Sequence, residues 1–170
     1  MDKLLDKIFF RTKNFDYISQ NVKKITQQTS ANKVFEAINN FNEISEVRYV
    51  GGCIRKIIKN EQVDDIDLAT NLIPSEVCEA LKKNNINYFE TGINHGTITA
   101  VIDDQKYEIT SLRKDVSTDG RHAEVEYSLD WKEDSNRRDF SFNAIYSDKD
   151  GNLFDPHNGK KDLENGYVKF

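Results

Sequence analysis

Residues 50–70 read VGGCIRKIIKNEQVDDIDLAT: paired glycines, an arginine, and then a cluster of carboxylates that ends in an alternating run. The apolar-rich run from Glu46 to Val50 stops at Gly51-Gly52, and Ile54, Ile57 and Ile58 follow at helical offsets. That pattern reads as strand, glycine turn, helix. Asp65 to Thr70 then alternates as a second strand. Side chains at i and i+2 of a strand share a face, so Asp65 and Asp67 point one way while Ile66 and Leu68 point into the core. Asp64 falls on the apolar side of this alternation and is the weaker candidate.

Two like charges about 6–7 Å apart on one face are unfavourable unless a cation lies between them. Hard divalent ions prefer carboxylate oxygens, and Mg²⁺ is the natural choice. A third carboxylate stands in KYEITSL, where Glu108 shares a face with Thr110 and opposes Tyr107 and Ile109. If that strand lies beside the first, three carboxylates could hold two metals about 3.5–4 Å apart for in-line phosphoryl or nucleotidyl transfer. Gly51-Gly52 at a helix start would let backbone N–H groups approach a phosphate, and Arg55, one turn on, could add a charge-assisted bond.

Working outward, residues 1–40 carry apolar positions at helical spacing, among them Leu4, Leu5, Ile8, Phe9, Val34, Phe35 and Ile38, and predict two or three short helices. Pro74, Ser75 and Glu76 open a helix that Asn84-Asn85 stops. Strands are expected at 87–90, 96–102 and 106–112, with Asp103-Asp104 as the tight turn between the last two. Arg113 to Glu124 is polar, carries an Asp119-Gly120 turn signal and shows no periodicity, which predicts a mobile loop. Asp130 caps a helix that runs to Arg137. Asp139 and Asn143 would share a face if their segment is helical, a spacing suited to a ribose hydroxyl. His95 reads as a turn residue, Asp155-Pro156, Asn158-Gly159 and Asp162 as turn and cap residues, and Trp131, Phe140 and Phe142 as core positions.

The 170 residues fit one ordinary domain with its own core. A net charge of −5 excludes a broad electrostatic grip on nucleic acid, so any such contact is local or comes from another chain. Cys53 and Cys78 match no zinc spacing and read as reduced, half-buried thiols. Charges interrupt the apolar positions of the N-terminus every few residues, which gives neither a signal-peptide core nor a membrane span; the cytoplasm is the expected compartment.

Taken in order, these motifs resemble the bacterial CCA-adding tRNA nucleotidyltransferases and the related poly(A) polymerases of the polymerase-β-like superfamily. The resemblance runs through Gly51-Gly52 with Arg55, DIDLAT at 65–70, TGINHGT at 91–97, YEITSLR at 107–113, and Asp119-Gly120-Arg121. It continues through Arg137-Arg138-Asp139-Phe140 with Asn143, then Asp155-Pro156, Gly159 and Asp162-Leu163, so that it covers roughly residues 47–170. It implies an α+β head domain over 45–170 with a mixed, twisted sheet flanked by helices, preceded by a helical segment over 1–44. It further implies that Asp65 and Asp67 bind catalytic Mg²⁺, with Glu108 as third carboxylate. Gly51, Gly52 and Arg55 would hold the triphosphate, and Arg137, Arg138, Asp139 and Asn143 would contribute to the nucleotide pocket. The implied reaction transfers CMP or AMP from CTP or ATP to a tRNA 3′ end, with poly(A) addition as the related alternative. Arg121 on the polar loop would approach substrate.

The sequence departs from the family at Lys56 and Asn60, where aspartate and glycine are usual. The match ends where family members run on into neck, body and tail domains, and no base-selecting motif is present. The expectation is a split enzyme whose second polypeptide supplies the base selector and the RNA-binding helices. A stand-alone small nucleotidyltransferase and an inactive nucleotide-binding remnant are the competing readings.

Overall fold

The computed structural model describes residues 17–118 and 122–168. The quoted stretch folds as its pattern predicts: β1 (Val47–Val50), α3 (Gly52–Ile58) and β2 (Ile66–Thr70), preceded by helices α1 over 17–28 and α2 (Ala31–Asn39). Gly51 joins β1 to α3 at φ 71° and ψ −129°, a conformation closed to side-chain-bearing residues. Asn60 closes the far end of α3 at φ 57°. Asparagine tolerates this left-handed region, which explains how it stands where the family has glycine.

After β2 come α4 (Pro74–Lys83), β3 (Asn87–Gly92), a 3-10 turn (Ile93–His95), β4 (Thr97–Ile102) and β5 (Gln105–Ser111). Pro74 opens α4 while the Glu76 carboxylate accepts from the Ile73 N–H, and Asn85 leaves the helix at φ 56°. Asp103 and Asp104, at φ 50° and 63°, form the two-residue hairpin turn. Among the described residues the strands make one seven-stranded sheet, β3-β4-β5-β2-β1-β8-β9, in which β8 is Tyr146–Ser147 and β9 is Leu153–Phe154. The sheet is mixed: β2 and β5 pair in parallel, with Asp67 opposite Glu108, and the other neighbours pair antiparallel.

One face of this sheet packs on α1, α2, α3 and α4, burying Val34, Phe35, Ile38, Tyr49, Leu68, Leu81, Tyr107 and Ile109. Phe35 and Tyr49 meet at 4.9 Å between ring centroids, and Thr26 hydrogen-bonds the Tyr49 hydroxyl at 2.7 Å, so residues 17–39 share this core. The other face is covered on its β1–β8 side by α5 (Trp131–Asn136), over a smaller cluster of Val50, Ala69, Leu112 and Tyr146. Asp130 caps α5 as expected, accepting from the N–H groups of Lys132 and Glu133.

Four expectations change. Arg113 to Glu124 is not a loop: β6 (Arg113–Thr118) and β7 (His122–Tyr127) pair as a two-stranded ribbon. A ribbon outside the main sheet needs no alternating apolar face, so the Asp119-Gly120 turn signal was its only trace in the sequence. Arg121, and the helical spacing over 1–16, lie outside the described residues. Asp139 to Asn143 is not a helix either, because Phe140 at φ 63° breaks it and a short 3-10 turn (Ser141–Asn143) follows. Cys53 is fully buried, whereas Cys78 is half-buried as expected; both are free thiols. Trp131, Phe140 and Phe142 are half-buried, the two phenylalanines stacked on each other at 5.2 Å. No described helix is long and apolar enough to cross a membrane.

Helix α6 (Gly159–Asn165) braces the 3-10 turn. Its first N–H groups bond the Asp155 carboxylate, and Ser141 Oγ donates to Asp162 at 2.5 Å. A Cβ on Gly159 would sit 2.6 Å from the Ser141 carbonyl carbon and 2.8 Å from Phe142 Cα, and backbone cannot rotate away as a side chain can. Gly159→Ala is therefore expected to destabilise the fold by about 1–3 kcal/mol in chemical denaturation. Gly166→Ala meets no atom within 4 Å, but it forces a side chain into the left-handed region at φ 69°, so its cost of about 1–2 kcal/mol comes from the backbone alone.

Candidate active site

The parallel pairing of β2 with β5 sets Asp67 directly beside Glu108, and the face parity places both away from the main core. Burial, the Glu108 charge, a hydrogen bond to Glu108 and the Asp65 charge push the Asp67 carboxyl up to about 6, against an ordinary value of 3.8. Asp65 itself precedes the first residue of β2.

These carboxylates open into a cavity of about 600 Å³. Of the residues singled out by the sequence, Gly51, Gly52, Asp67, Glu108, Arg137, Arg138, Asp139 and Asn143 line it. Asp139 and Asn143 therefore reach one site through the kink at Phe140 and not along a helix face. Asp65 and Arg55 are not among the lining residues. Arg55 lies behind the glycine turn, its guanidinium 5.8 Å from the Phe142 ring and near Gly52. Lys56 turns toward Asp64, 3.7 Å away on the exposed side.

The arginines are fixed by a residue that the sequence reading passed over. Asp134, fully buried on α5, accepts from Arg137 Nε at 3.1 Å, Arg138 Nε at 3.0 Å, the Tyr146 hydroxyl at 2.6 Å and the Arg113 backbone N–H at 3.1 Å. Burial alone would raise this carboxyl, but the Arg138 and Arg137 guanidiniums outweigh it and hold the group below its ordinary value. An aspartate three and four residues ahead of two arginines on a helix was the available signal. The sequence reading also missed Arg113, Asp115 and Thr110 as lining residues. Arg113 donates from Nη1 to the His95 carbonyl at 2.9 Å, while its buried Nε has no hydrogen-bond partner among the described residues. His95 contributes its carbonyl from the turn, as its position predicts.

The site thus joins carboxylates on the sheet to guanidiniums at the exit of α5, with the glycine turn lining the same cavity. Such a set can hold a polyanion through planar, bidentate donors and a cation through the carboxylates.

Compared with known proteins, residues 47–169 match the family described as "Poly A polymerase head domain". The chain is 43% identical over 129 residues to the human mitochondrial CCA tRNA nucleotidyltransferase 1, covering 75% of this chain and 30% of that protein. It is 35% identical over 143 residues to the CCA-adding enzyme of Lactobacillus johnsonii, covering 83% and 34% respectively. Among solved structures, the Bacillus stearothermophilus CCA-adding enzyme in complex with CTP superposes with a TM-score of 0.69 at 26% identity, over 80% of this chain and 31% of that one. A tRNA nucleotidyltransferase complexed with a primer tRNA and an incoming ATP analogue shares the fold at 22% identity and a TM-score of 0.57, over 87% of this chain and 38% of that one. The chain spans about 30% of the length of the curated relatives it matches first.

Two stability predictions follow from the charges. Because the folded Asp67 carboxyl binds its proton more tightly than the unfolded one, the fold loses stability as pH rises from about 4 to 6 and does not regain it above. Asp67→Asn is therefore expected to be more stable than the parent by roughly 1–3 kcal/mol at pH 8 without divalent cations, with the gain vanishing below pH 4. Asp134→Ala leaves two guanidiniums unpaired and is expected to lose about 3–5 kcal/mol in denaturant titrations.

Proposed function

The chain belongs to the poly(A) polymerase head-domain family, and from that premise we propose that it is the head of a metal-dependent nucleotidyltransferase acting on tRNA. In this reading it transfers CMP or AMP from CTP or ATP to a tRNA 3′-hydroxyl, releasing pyrophosphate. The observation that carries it is the placement of Asp67 and Glu108 side by side, opposite the Asp134-anchored Arg137 and Arg138, across one cavity.

The residues fit Mg²⁺. Asp67, whose carboxyl is pushed up to about 6 by burial and then by the Glu108 and Asp65 carboxylates, is the group a divalent cation would relieve, and Asp65 is its partner two residues away. Among the described residues no three acidic, histidine or cysteine side chains form a closed cage. Mg²⁺ characteristically takes one or two carboxylates and completes its shell with water and substrate phosphates, so an open pair suits it. When bound, the ion neutralises developing charge on the phosphoryl oxygens and lowers the pKa of the attacking hydroxyl.

The chain's own residues supply binding and orientation. The N–H groups at Gly51-Gly52 meet the triphosphate, with Arg55 behind the turn adding positive charge. Arg137 and Arg138 grip its oxygens, and their anchor on Asp134 keeps both forks in place before substrate arrives. Asp139 and Asn143 face the ribose. Base selection and the grip on the tRNA body belong, in this reading, to further polypeptide beyond the head. The exposed Tyr167 and Val168, next to the last described turn, support such a contact.

The test is primer extension on a tRNA lacking its CCA end, with Mg²⁺ and CTP, ATP or both. Weak addition without ordered base choice, abolished in the Asp65→Ala, Asp67→Ala double variant, is the expected result for the head alone. Incorporation of AMP alone in long runs would move the reading to poly(A) addition, and triphosphate binding that ignores both substitutions would overturn it.

A further inference from the structure

The face that carries the carboxylates continues past them. In the sheet register, Asp67 pairs with Glu108, Glu108 with Thr99 and Thr99 with Phe89, so these four side chains form one row across β2, β5, β4 and the edge strand β3. Their neighbours Tyr88, Ala100 and Tyr107 point the other way, into or against the main core. Thr99 is 5% exposed and floors the row, while Phe89 at its end is 57% exposed. The edge strand carries one exposed charge, Glu90, on its opposite face, and Phe89 beside it leaves an exposed aromatic ring on the carboxylate face.

Phe89 also lines a shallow cavity of about 580 Å³ at the sheet edge, with Lys82, Asn85 and Asn87 and with Ile86 and Tyr88 from the core-facing side. Lys106, two residues before Glu108, shares the carboxylate face and is exposed. An exposed ring beside asparagine amides and lysine ammonium groups is the composition that holds an unpaired nucleotide: the ring stacks on the base and the cations meet the phosphodiester.

Direction favours the same occupant. The arginines and the glycine turn lie on the β1–α5 side of Asp67. In-line displacement puts the attacking hydroxyl opposite the leaving pyrophosphate, so the acceptor strand reaches Asp67 from the β5–β4–β3 side. Three strand spacings put Phe89 about 14 Å from Asp67, within a few nucleotides of the reacting end.

We infer that Phe89 is a stacking platform for an unpaired base of the acceptor RNA, a few nucleotides upstream of the reacting 3′-hydroxyl. This rests on the nucleotidyltransferase reading for the identity of the acceptor, but the contact itself is read by binding. The experiment measures anisotropy of a fluorescein-labelled single-stranded RNA with a free 3′-hydroxyl, in Mg²⁺, against the parent chain, Phe89→Ala and Phe89→Trp. The binding of a non-hydrolysable triphosphate is measured alongside. Phe89→Ala is expected to weaken RNA binding about tenfold or more, as loss of one base–aromatic stack does, with triphosphate binding unchanged. Phe89→Trp is expected to restore it, and a fully paired duplex of the same sequence should not distinguish the variants. Equal affinity of parent and Phe89→Ala, no measurable affinity of the parent, or a Phe89→Trp variant as weak as Phe89→Ala would each overturn the inference. A parent that binds the RNA in a Phe89-dependent way but no triphosphate would instead sink the nucleotidyltransferase reading and leave the platform standing.

Discussion

The arrangement turns on a repulsion that the fold imposes. Parallel pairing of β2 with β5 leaves Asp67 and Glu108 no freedom to separate, since their register is fixed by Ile66, Leu68, Tyr107 and Ile109, which fill the core from the opposite face. A one-residue slip would turn the carboxylates inward and the isoleucines outward, and the core forbids it. In the proposed function this is the point where a cation and a polyanion are bound, and burial first, then the Glu108 charge, raise the Asp67 carboxyl to about 6.

The opposite wall is built on the contrary principle, with charge fully paired. Asp134 ties the exit of α5 to the start of β6 through the Arg113 N–H and to β8 through the Tyr146 hydroxyl, besides holding both arginines. One buried carboxylate therefore couples the guanidinium pair to two further segments. Tyr146 in turn packs edge-on against Trp131 at 5.4 Å, and Arg48 stacks 4.1 Å over that indole, which links the small second core to the cavity wall. A rigid cationic wall facing a frustrated anionic one is suited to a ligand that carries both signs, such as a metal-bound triphosphate.

Much of this was legible in the sequence because its signals were local. Gly51-Gly52, the alternation at 65–70, the Asp103-Asp104 turn and the Pro74 helix start each rest on backbone rules that act within a few residues. The adjacency of Asp67 and Glu108 was only conditional there, since two strands forty residues apart are brought together by the core. The β6–β7 ribbon was misread because none of its described side chains is fully buried, and the 139–143 segment because Phe140 adopts a positive φ that its identity disfavours. Asp134 was missed for a different reason: an acidic residue inside a capped, polar helix reads as solvent-facing until tertiary structure buries it.

The central claim is that this chain contains a complete metal–triphosphate site by itself, and isothermal titration of a non-hydrolysable CTP or ATP analogue tests it most directly. The account predicts that the parent binds the analogue at least tenfold more tightly with Mg²⁺ than with chelator, and that Asp67→Asn removes the metal dependence. It predicts also that Arg138→Gln weakens binding in both conditions. Equal affinity with and without Mg²⁺, or an Asp67→Asn variant that keeps the metal dependence, would contradict it.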